Sequence, residues 1–411
     1  MKPCYDIIIV GGGASGLAAA VFCARFSDGG DGILLLERAA RVGRKLLSTG
    51  NGTCNISNRN AVPAHYHGAD AARFTAPALA AFPPSACADF FRSLGLLLVT
   101  EEEGREYPLC RQAAAVLDCL RLELQGHGVR EQCDANVTAL TPHRQGWEVT
   151  SSAGTFVGRR VILCTGGAAA PSLGGSAESY ALATALGHRK TPLFPSIVQV
   201  KTETEWVRAV KGLRTDATVT FALNGQPLCS HTGELLFTEY GISGPAVMQI
   251  SRVVGDWERH KTGEMTAEID LLPLISAKEL NATLDVRGNR RAEDYLTGVL
   301  HKRIGQTVCR AAGFALSQEM GSLNPDERER IVYQIKHFTL RVLGTQGFGG
   351  AQVTAGGIAT KDICPHTMES RLASGVYLVG ELTDVDGDCG GYNLQWAWAS
   401  AYAAAKAVCG K

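Results

Sequence analysis

The stretch Tyr5-Asp6-Ile7-Ile8-Ile9-Val10-Gly11-Gly12-Gly13-Ala14-Ser15-Gly16-Leu17 decides how this chain folds. Residues 5–10 are a short β-rich run, the pattern of a buried parallel strand. The glycines at 11, 13 and 16 form Gly-x-Gly-x-x-Gly, and the Ala-rich run 17–25 reads as a helix. A second apolar strand, 33–36, ends in Glu37. That acid lies 21 residues beyond Gly16 (37 − 16), near the spacing at which a carboxylate holds a ribose hydroxyl. Each glycine has a physical task. Gly11 permits the tight turn, Gly13 lets a pyrophosphate approach the backbone, and Gly16 lets helix and strand pack. The helix N-terminus then faces the phosphates. Strand, glycines, helix, strand and acid in that order predict a dinucleotide site, and the acid favours FAD or NAD over NADP.

Further segments extend this site. Arg44 and Lys45 follow the acidic strand end and are placed to reach phosphate oxygens. Gly50-Asn51-Gly52 lies in a polar glycine-rich loop suited to a planar ring. Residues 133–140, 147–150, 155–157 and 160–164 read as short strands, a meander returning to the sheet and ending in Thr165-Gly166-Gly167. A strand end of this kind allows a second backbone contact with a dinucleotide. After a helix at 181–186, the last such unit is a strand at 376–379, then Gly380-Glu381, then Gly391-Tyr392-Asn393-Leu394 ahead of a helix at 396–408. A helix N-terminus there would favour an anionic ring edge, and Glu381 would hold a ribityl hydroxyl. Both chain ends are therefore expected to build one cofactor site. The set assigned to the cofactor also takes in Ala14, Ser15, Arg38 and Val137.

Composition narrows the function classes. Lys+Arg and Asp+Glu are both 40, so the formal charge is zero and the basic excess of a nucleic-acid binder is absent. Glycine is 47 of 411 residues, against a usual level of roughly 7%, and shows no period, which points to many tight turns. The apolar stretches, such as 94–99, fall far short of the roughly 20 residues of a spanning helix. The start, Met1-Lys2-Pro3-Cys4-Tyr5-Asp6, does not read as a signal peptide. The thirteen cysteines lack a CxxC pair, so reduced thiols in a cytoplasmic protein are expected. Cys364 and His366 alone do not make a metal site, and no metal is expected. His188, after Gly187, reads as a helix C-terminal residue, and Cys54 as a structural thiol.

The segments IIIVGGGASGLAAA, GRKLLSTGNGTCNISN, GELLFTEYGISGPA and the long run VTAGGIATKDICPHTMESRLASGVYLVGELTDVDGDCGGYNLQWAWASAYAA span nearly the whole chain. With the ILCTGG strand, they resemble the bacterial flavoprotein family that contains the 3-dehydro-bile-acid Δ4,6-reductase and the aminoacetone-oxidase-like proteins. The resemblance implies an α/β fold: a Rossmann-type FAD-binding domain built from both chain ends, 1–190 and 348–411. A small β-barrel is inserted over 191–271 and 334–347, with a helical subdomain at 272–333. In the insert, 197–201, 217–224, 265–271 and 338–343 read as strands, and 278–314 and 326–335 as helices. The chain departs from the family pattern at Thr53, where Arg is usual, and at Glu239, where His is usual.

The resemblance implies reduction of a C=C bond conjugated to a carbonyl, as in a 3-oxo-Δ4 or Δ4,6 steroid. A hydride from flavin N5 goes to the β-carbon and a proton to the α-carbon, with NAD(P)H as transient donor. The alternative is an oxidase of a small amine such as aminoacetone, producing H2O2. The expected partner is an apolar small molecule, with neither nucleic acid nor a membrane span. Arg105, Tyr107 and Glu239 are the candidates for catalysis, because they lie in segments similar to family motifs.

Overall fold

The computed structural model describes residues 4–27, 29–286 and 288–411. Met1 to Pro3 of the amino-terminal reading, and Arg287 within the expected helix 278–314, lie outside the described residues. The chain divides into two compact units, Met1–Phe194 with Gln352–Lys411, and Pro195–Ala351. The α/β class, the Rossmann-type unit and the closed barrel expected from the sequence are all present.

The first unit is built on a seven-stranded sheet. Its parallel core runs Arg130–Gln132, Ile33–Leu36, Cys4–Val10 and Gly154–Leu163. Ile33–Leu36 is buried throughout, as strands covered on both faces must be. The two strands expected at 155–157 and 160–164 are one strand, Gly154–Leu163. Its first half pairs antiparallel with Gly146–Ser151, and its last residues pair parallel with Val376–Leu378. A single long strand thus ties the meander to the sheet, and no turn intervenes. The amino-terminal helix Ala14–Phe26 and the carboxy-terminal helix Tyr392–Val408 pack against each other, with Phe22 and Tyr402 edge to face at 5.3 Å. Sequence reading missed the helices Ala71–Ala81, Pro84–Ser93 and Ala113–Gly126.

The second unit holds a closed six-stranded antiparallel barrel. Its strands are Val200–Thr202, Arg214–Leu223, Gln226–Phe237, Gly241–Ser243, Met265–Asp270 and Phe338–Thr345. Met265–Asp270 and Phe338–Thr345 alternate buried and more exposed residues, so one face fills the barrel. The expected long helix at 278–314 is instead three: Ala277–Asp285, Ala292–Tyr295 and Lys302–Ala311. Gly288 (φ 66°) and Gly298 (φ 85°) adopt left-handed backbone that a right-handed helix cannot continue. The helix Pro325–Lys336 starts at a reciprocal cap between Asn324 and Glu327.

Candidate functional site

The turn after the first strand is built as its glycines require. A Cβ at Gly11 would lie 2.4 Å from the Cys164 carbonyl oxygen, and one at Gly16 would lie 1.8 Å from the Gly11 carbonyl oxygen. Both positions are closed by backbone. Gly13 is different, because a Cβ there would meet nothing within 4 Å. Gly13 also caps the helix Ala14–Phe26, which has no side-chain cap. Open space at the bare amino end of a 13-residue helix suits a pyrophosphate. Glu37 accepts from Gly12 N at 2.7 Å and Ala39 N at 2.8 Å, one to each carboxylate oxygen. Each oxygen keeps a lone pair for a ribose hydroxyl. The Ala135 amide donates to the Glu37 carbonyl at 2.9 Å, which brings the chain leading into Val137 alongside this acid.

The other expected cofactor residues gather around Glu381. Its carboxylate accepts from Lys45 Nζ at 2.7 Å and Thr354 N at 2.9 Å. A Cβ at Gly167 would come 2.8 Å from Glu381 Oε1, so this glycine is needed for the approach. Gly380 (φ 66°) sits against Ser15, where a Cβ would be 2.8 Å from its Oγ. That contact joins the carboxy-terminal segment to the amino-terminal turn. Gly166 opens on empty space, and Thr165 Oγ1 donates to the Ser179 carbonyl at 2.6 Å. Arg44 donates to the Ser172 carbonyl at 2.9 Å and Arg38 to the Gly174 carbonyl. Both guanidiniums thus brace the loop around Pro171–Leu173.

The third group surrounds the start of the carboxy-terminal helix. That helix begins at Tyr392, four residues before the expected 396, so Gly391 (φ 99°) is its cap. A Cβ at Gly391 would lie 2.2 Å from the Ser57 carbonyl oxygen. Asn393 exchanges hydrogen bonds with Gly387 N and O, both at 2.8 Å, and Leu394 packs half-buried on the core. On the strand Arg105–Pro108, Arg105 lies against Gly390 and pairs with Glu103, while Tyr107 reaches Gly50. Gly50 and Asn51 have φ values of 56° and 54°. Arg105 and Tyr107 therefore stand between the Gly50–Asn51–Gly52 loop and the Gly390–Gly391 loop. Burial pushes the Tyr107 phenol above its usual value, so it stays protonated at neutral pH and can donate. Thr53, at the position of a usual Arg, donates to the Gly50 carbonyl at 2.5 Å and holds the loop.

Glu239 is in the second unit, exposed and paired with Lys211. The hydrogen bond from Lys211 holds its carboxyl below the usual range, which makes it a poor proton donor at neutral pH. His188 is buried just beyond a short helix, with its amide on the Ala183 carbonyl at 3.2 Å and Nε2 2.8 Å from Ser370 Oγ. Cys54 is fully buried and burial pushes its thiol up to about 11. All thirteen cysteines are free, and no cluster among the described residues could hold a metal ion.

Sequence reading missed three residues beside the carboxy-terminal glycines. His65 Nδ1 and His67 Nε2 lie 2.8 and 2.7 Å from the two oxygens of Asp388. No local signal in the sequence joins them, because His65 closes the single helical turn Pro63–His65 and Asp388 lies 323 residues further on. Sequence reading also missed Glu106, which is buried with Oε1 3.2 Å from Arg59 and Oε2 without a partner among the described residues.

The family described as HI0933-like protein Rossmann domain matches residues 5–407. This chain belongs to the HI0933-like family. It is 39% identical over 404 residues to the 3-dehydro-bile acid delta(4,6)-reductase of Clostridium scindens, covering 97% of this chain and 98% of that protein. It is 30% identical over 416 residues to the ribosomal RNA dihydrouridine synthase of Haemophilus influenzae, covering 99% of each. The solved 3-ketosteroid delta1-dehydrogenase of Sterolibacterium denitrificans shares the fold, with TM-score 0.52 at 13% identity over 100% of both chains. This HI0933-like protein is an FAD-dependent oxidoreductase.

Proposed function

We propose that the protein reduces a C=C bond conjugated to a carbonyl, in a steroid or bile-acid-like enone of the 3-oxo-Δ4 or Δ4,6 type, with NAD(P)H as electron donor. The observation that carries this reading is the 39% identity, over 97% of the chain, to a protein named as a bile acid delta(4,6)-reductase. The protein named as a dihydrouridine synthase points to the same bond change. Forming dihydrouridine saturates the C5–C6 bond of a uracil ring, and that bond is conjugated to the C4 carbonyl. Two dissimilar substrates thus share one reaction type.

The groups of the first unit fit FAD. Gly13 and the bare helix end would hold the pyrophosphate, Glu37 the ribose, and Glu381 with Lys45 the ribityl side. When bound, FAD supplies hydride chemistry. The chain's own residues do the rest. Arg105 and Tyr107 present donors between the two glycine loops, where they polarise the enone carbonyl. Leu97 and Leu109, 59% and 58% exposed, adjoin this strand, with the Leu109 amide on the Leu97 carbonyl at 2.8 Å. An exposed apolar pair so close to Tyr107 suits an apolar ring system.

The test is anaerobic stopped-flow on the holoenzyme. NADH or NADPH is expected to bleach the oxidised flavin band, and a 3-oxo-Δ4 steroid to restore it. Restoration by a uridine-containing ribosomal RNA fragment and not by any steroid would move the substrate to RNA, as the 30% relative supports. A flavin that ignores nicotinamides and bleaches with aminoacetone would replace the reductase with an oxidase.

A further inference from the structure

Enone reduction consumes one proton as well as one hydride equivalent, and the two donors assigned above, Arg105 and Tyr107, are given to the substrate carbonyl rather than to its α-carbon. We propose that His65, Asp388 and His67 form the proton store of the oxidoreductase site, holding on an imidazole the proton that the substrate α-carbon receives. The proposal rests on the enone-reductase reading of the same site.

Four observations place the cluster. Asp388 immediately precedes Cys389-Gly390-Gly391, the loop that Arg105 covers. The His65 ring lies against that of Tyr392, the first helical residue, with centroids 4.7 Å apart and the planes tilted by 32°. The short strand Tyr66–His67 pairs with Asp386–Gly387, and Asp388 N donates to the His65 carbonyl at 3.0 Å. Tyr66 Oη donates to the Tyr392 carbonyl at 3.0 Å. The imidazoles are therefore fixed to the loop that ends at the helix cap.

The hydrogen-bond pattern sets the tautomers. A carboxylate only accepts, so His65 carries hydrogen on Nδ1 and His67 on Nε2. Burial acts to raise the Asp388 carboxyl, but hydrogen bonds from His67 and His65 outweigh it and keep it ionised. His65 Nε2 and His67 Nδ1 have no protein partner among the described residues, and both rings are about one-third exposed, at 35% and 37%. One extra proton fits on either nitrogen beside a fixed negative charge. The other titratable or charged groups around the cluster are Asp386, buried and directly opposite His67 in the strand pair, and Tyr66 and Tyr392, with Cys389, Arg105 and Glu103 beyond them and Cys87 behind Tyr66.

The step balances. A C–H bond of the reduced nicotinamide breaks, the nicotinamide is oxidised by two electrons, and the hydride equivalent it gives up forms the β-carbon C–H bond. The π pair of the C=C bond forms the α-carbon C–H bond with the imidazolium proton, and the N–H bond breaks. The neutral imidazole regains a proton from water through its exposed edge.

Two measurements test this. The first is proton NMR of the histidine ring C–H groups in oxidised holoenzyme across pH 4 to 9, assigned with His65→Gln and His67→Gln. Coupled titration of the two rings that separates in Asp388→Asn supports a shared proton. Independent titration unaffected by Asp388→Asn overturns it. The second compares reoxidation of reduced enzyme by an enone and by ferricyanide, which accepts electrons alone. In the His65→Gln/His67→Gln double variant the enone-to-ferricyanide rate ratio is expected to fall about 10²-fold or more, the scale of general acid catalysis. Asp388→Asn is expected to move the pH profile of the enone step. An unchanged ratio in a folded, yellow double variant overturns the proposal. If the wild type reduces no enone, the reaction reading has failed, and the NMR titration alone decides whether the cluster shares a proton.

Discussion

Gly13 and Gly16 sit three residues apart in one motif, yet substitution by alanine should separate folding from cofactor binding. At Gly16 the new Cβ would be 1.8 Å from the Gly11 carbonyl oxygen, which belongs to rigid backbone. Strand and helix must part, so Gly16→Ala is expected to lose several kcal/mol of stability, on the scale of overpacking at a closed site. At Gly13 the backbone is ordinary, φ −80° and ψ −167°, and a Cβ would meet nothing within 4 Å. Replacing a glycine cap by alanine costs at most about 1 kcal/mol. Apo Gly13→Ala should therefore melt within a few degrees of the wild type. Its methyl would fill the space assigned to the pyrophosphate and push the anion off the helix amides. Each lost hydrogen bond to a charged group is worth about 1.5–3 kcal/mol, so FAD affinity should fall at least tenfold. The assay is a thermal melt of apoprotein beside a titration with FAD followed by flavin fluorescence. A Gly13→Ala protein that binds FAD like the wild type would refute the placement of the pyrophosphate.

Other consequences follow from the same geometry. Glu37→Gln keeps one acceptor for the Gly12 and Ala39 amides but loses the charge; FAD affinity measured by equilibrium titration should fall severalfold, and an unchanged value would remove the ribose role. The Asp388 carboxyl is held below its usual range, so its contribution to stability is present above about pH 4, the unfolded value, and is lost as pH falls through the folded value. Urea melts should show Asp388→Asn less stable by about 1–3 kcal/mol at pH 7 and the gap narrowing below pH 4; a gap independent of pH contradicts this. The Cys409 thiol is drawn down to about 6, chiefly by its hydrogen bond with Cys23, whereas burial pushes Cys54 up to about 11. Brief iodoacetamide treatment at pH 7 followed by peptide mass mapping should label Cys409 and spare Cys54 until the protein unfolds; early label at Cys54 would contradict its burial.

The parts of the fold that could be read from the sequence are those where one residue type is forced by geometry. Gly11 and Gly16 are closed by carbonyl oxygens, so their spacing announces the turn directly. The barrel shows a readable signal that was passed over. Asn224 (φ 50°) and Gly225 (φ 78°) make the two-residue turn that joins Leu223 to Gln226, and Asn-Gly between strands is the strongest short hairpin signal. The return strand Gln226–Phe237 followed from it, but its exposed polar residues hid the period of two. The helices over 71–126 were missed because their burial is set by long-range packing, such as Phe90 against Phe22 at 4.5 Å. The histidine–aspartate cluster was illegible for the same reason, since His65 and Asp388 are 323 residues apart.

Under the proposed reaction, the bond chemistry shared by two dissimilar relatives separates the reacting groups from those that select the substrate. Reduction of an enone and of a uracil ring both need a hydride donor, a polarised carbonyl and one proton. None of these needs contact with the rest of the substrate. The groups proposed to meet those needs in this chain, namely the glycine turns that would hold the cofactor, Arg105, Tyr107 and the Asp388 cluster, all lie within the first unit. Selection between a steroid and an RNA must then come from residues that touch the remainder of the substrate. RNA binding depends on cations that neutralise phosphates, and this chain carries 40 basic against 40 acidic side chains. An apolar ring system needs exposed apolar surface instead, which Leu97 and Leu109 supply beside Tyr107. Binding that weakens with added salt would therefore count for RNA, and binding indifferent to salt for the apolar enone.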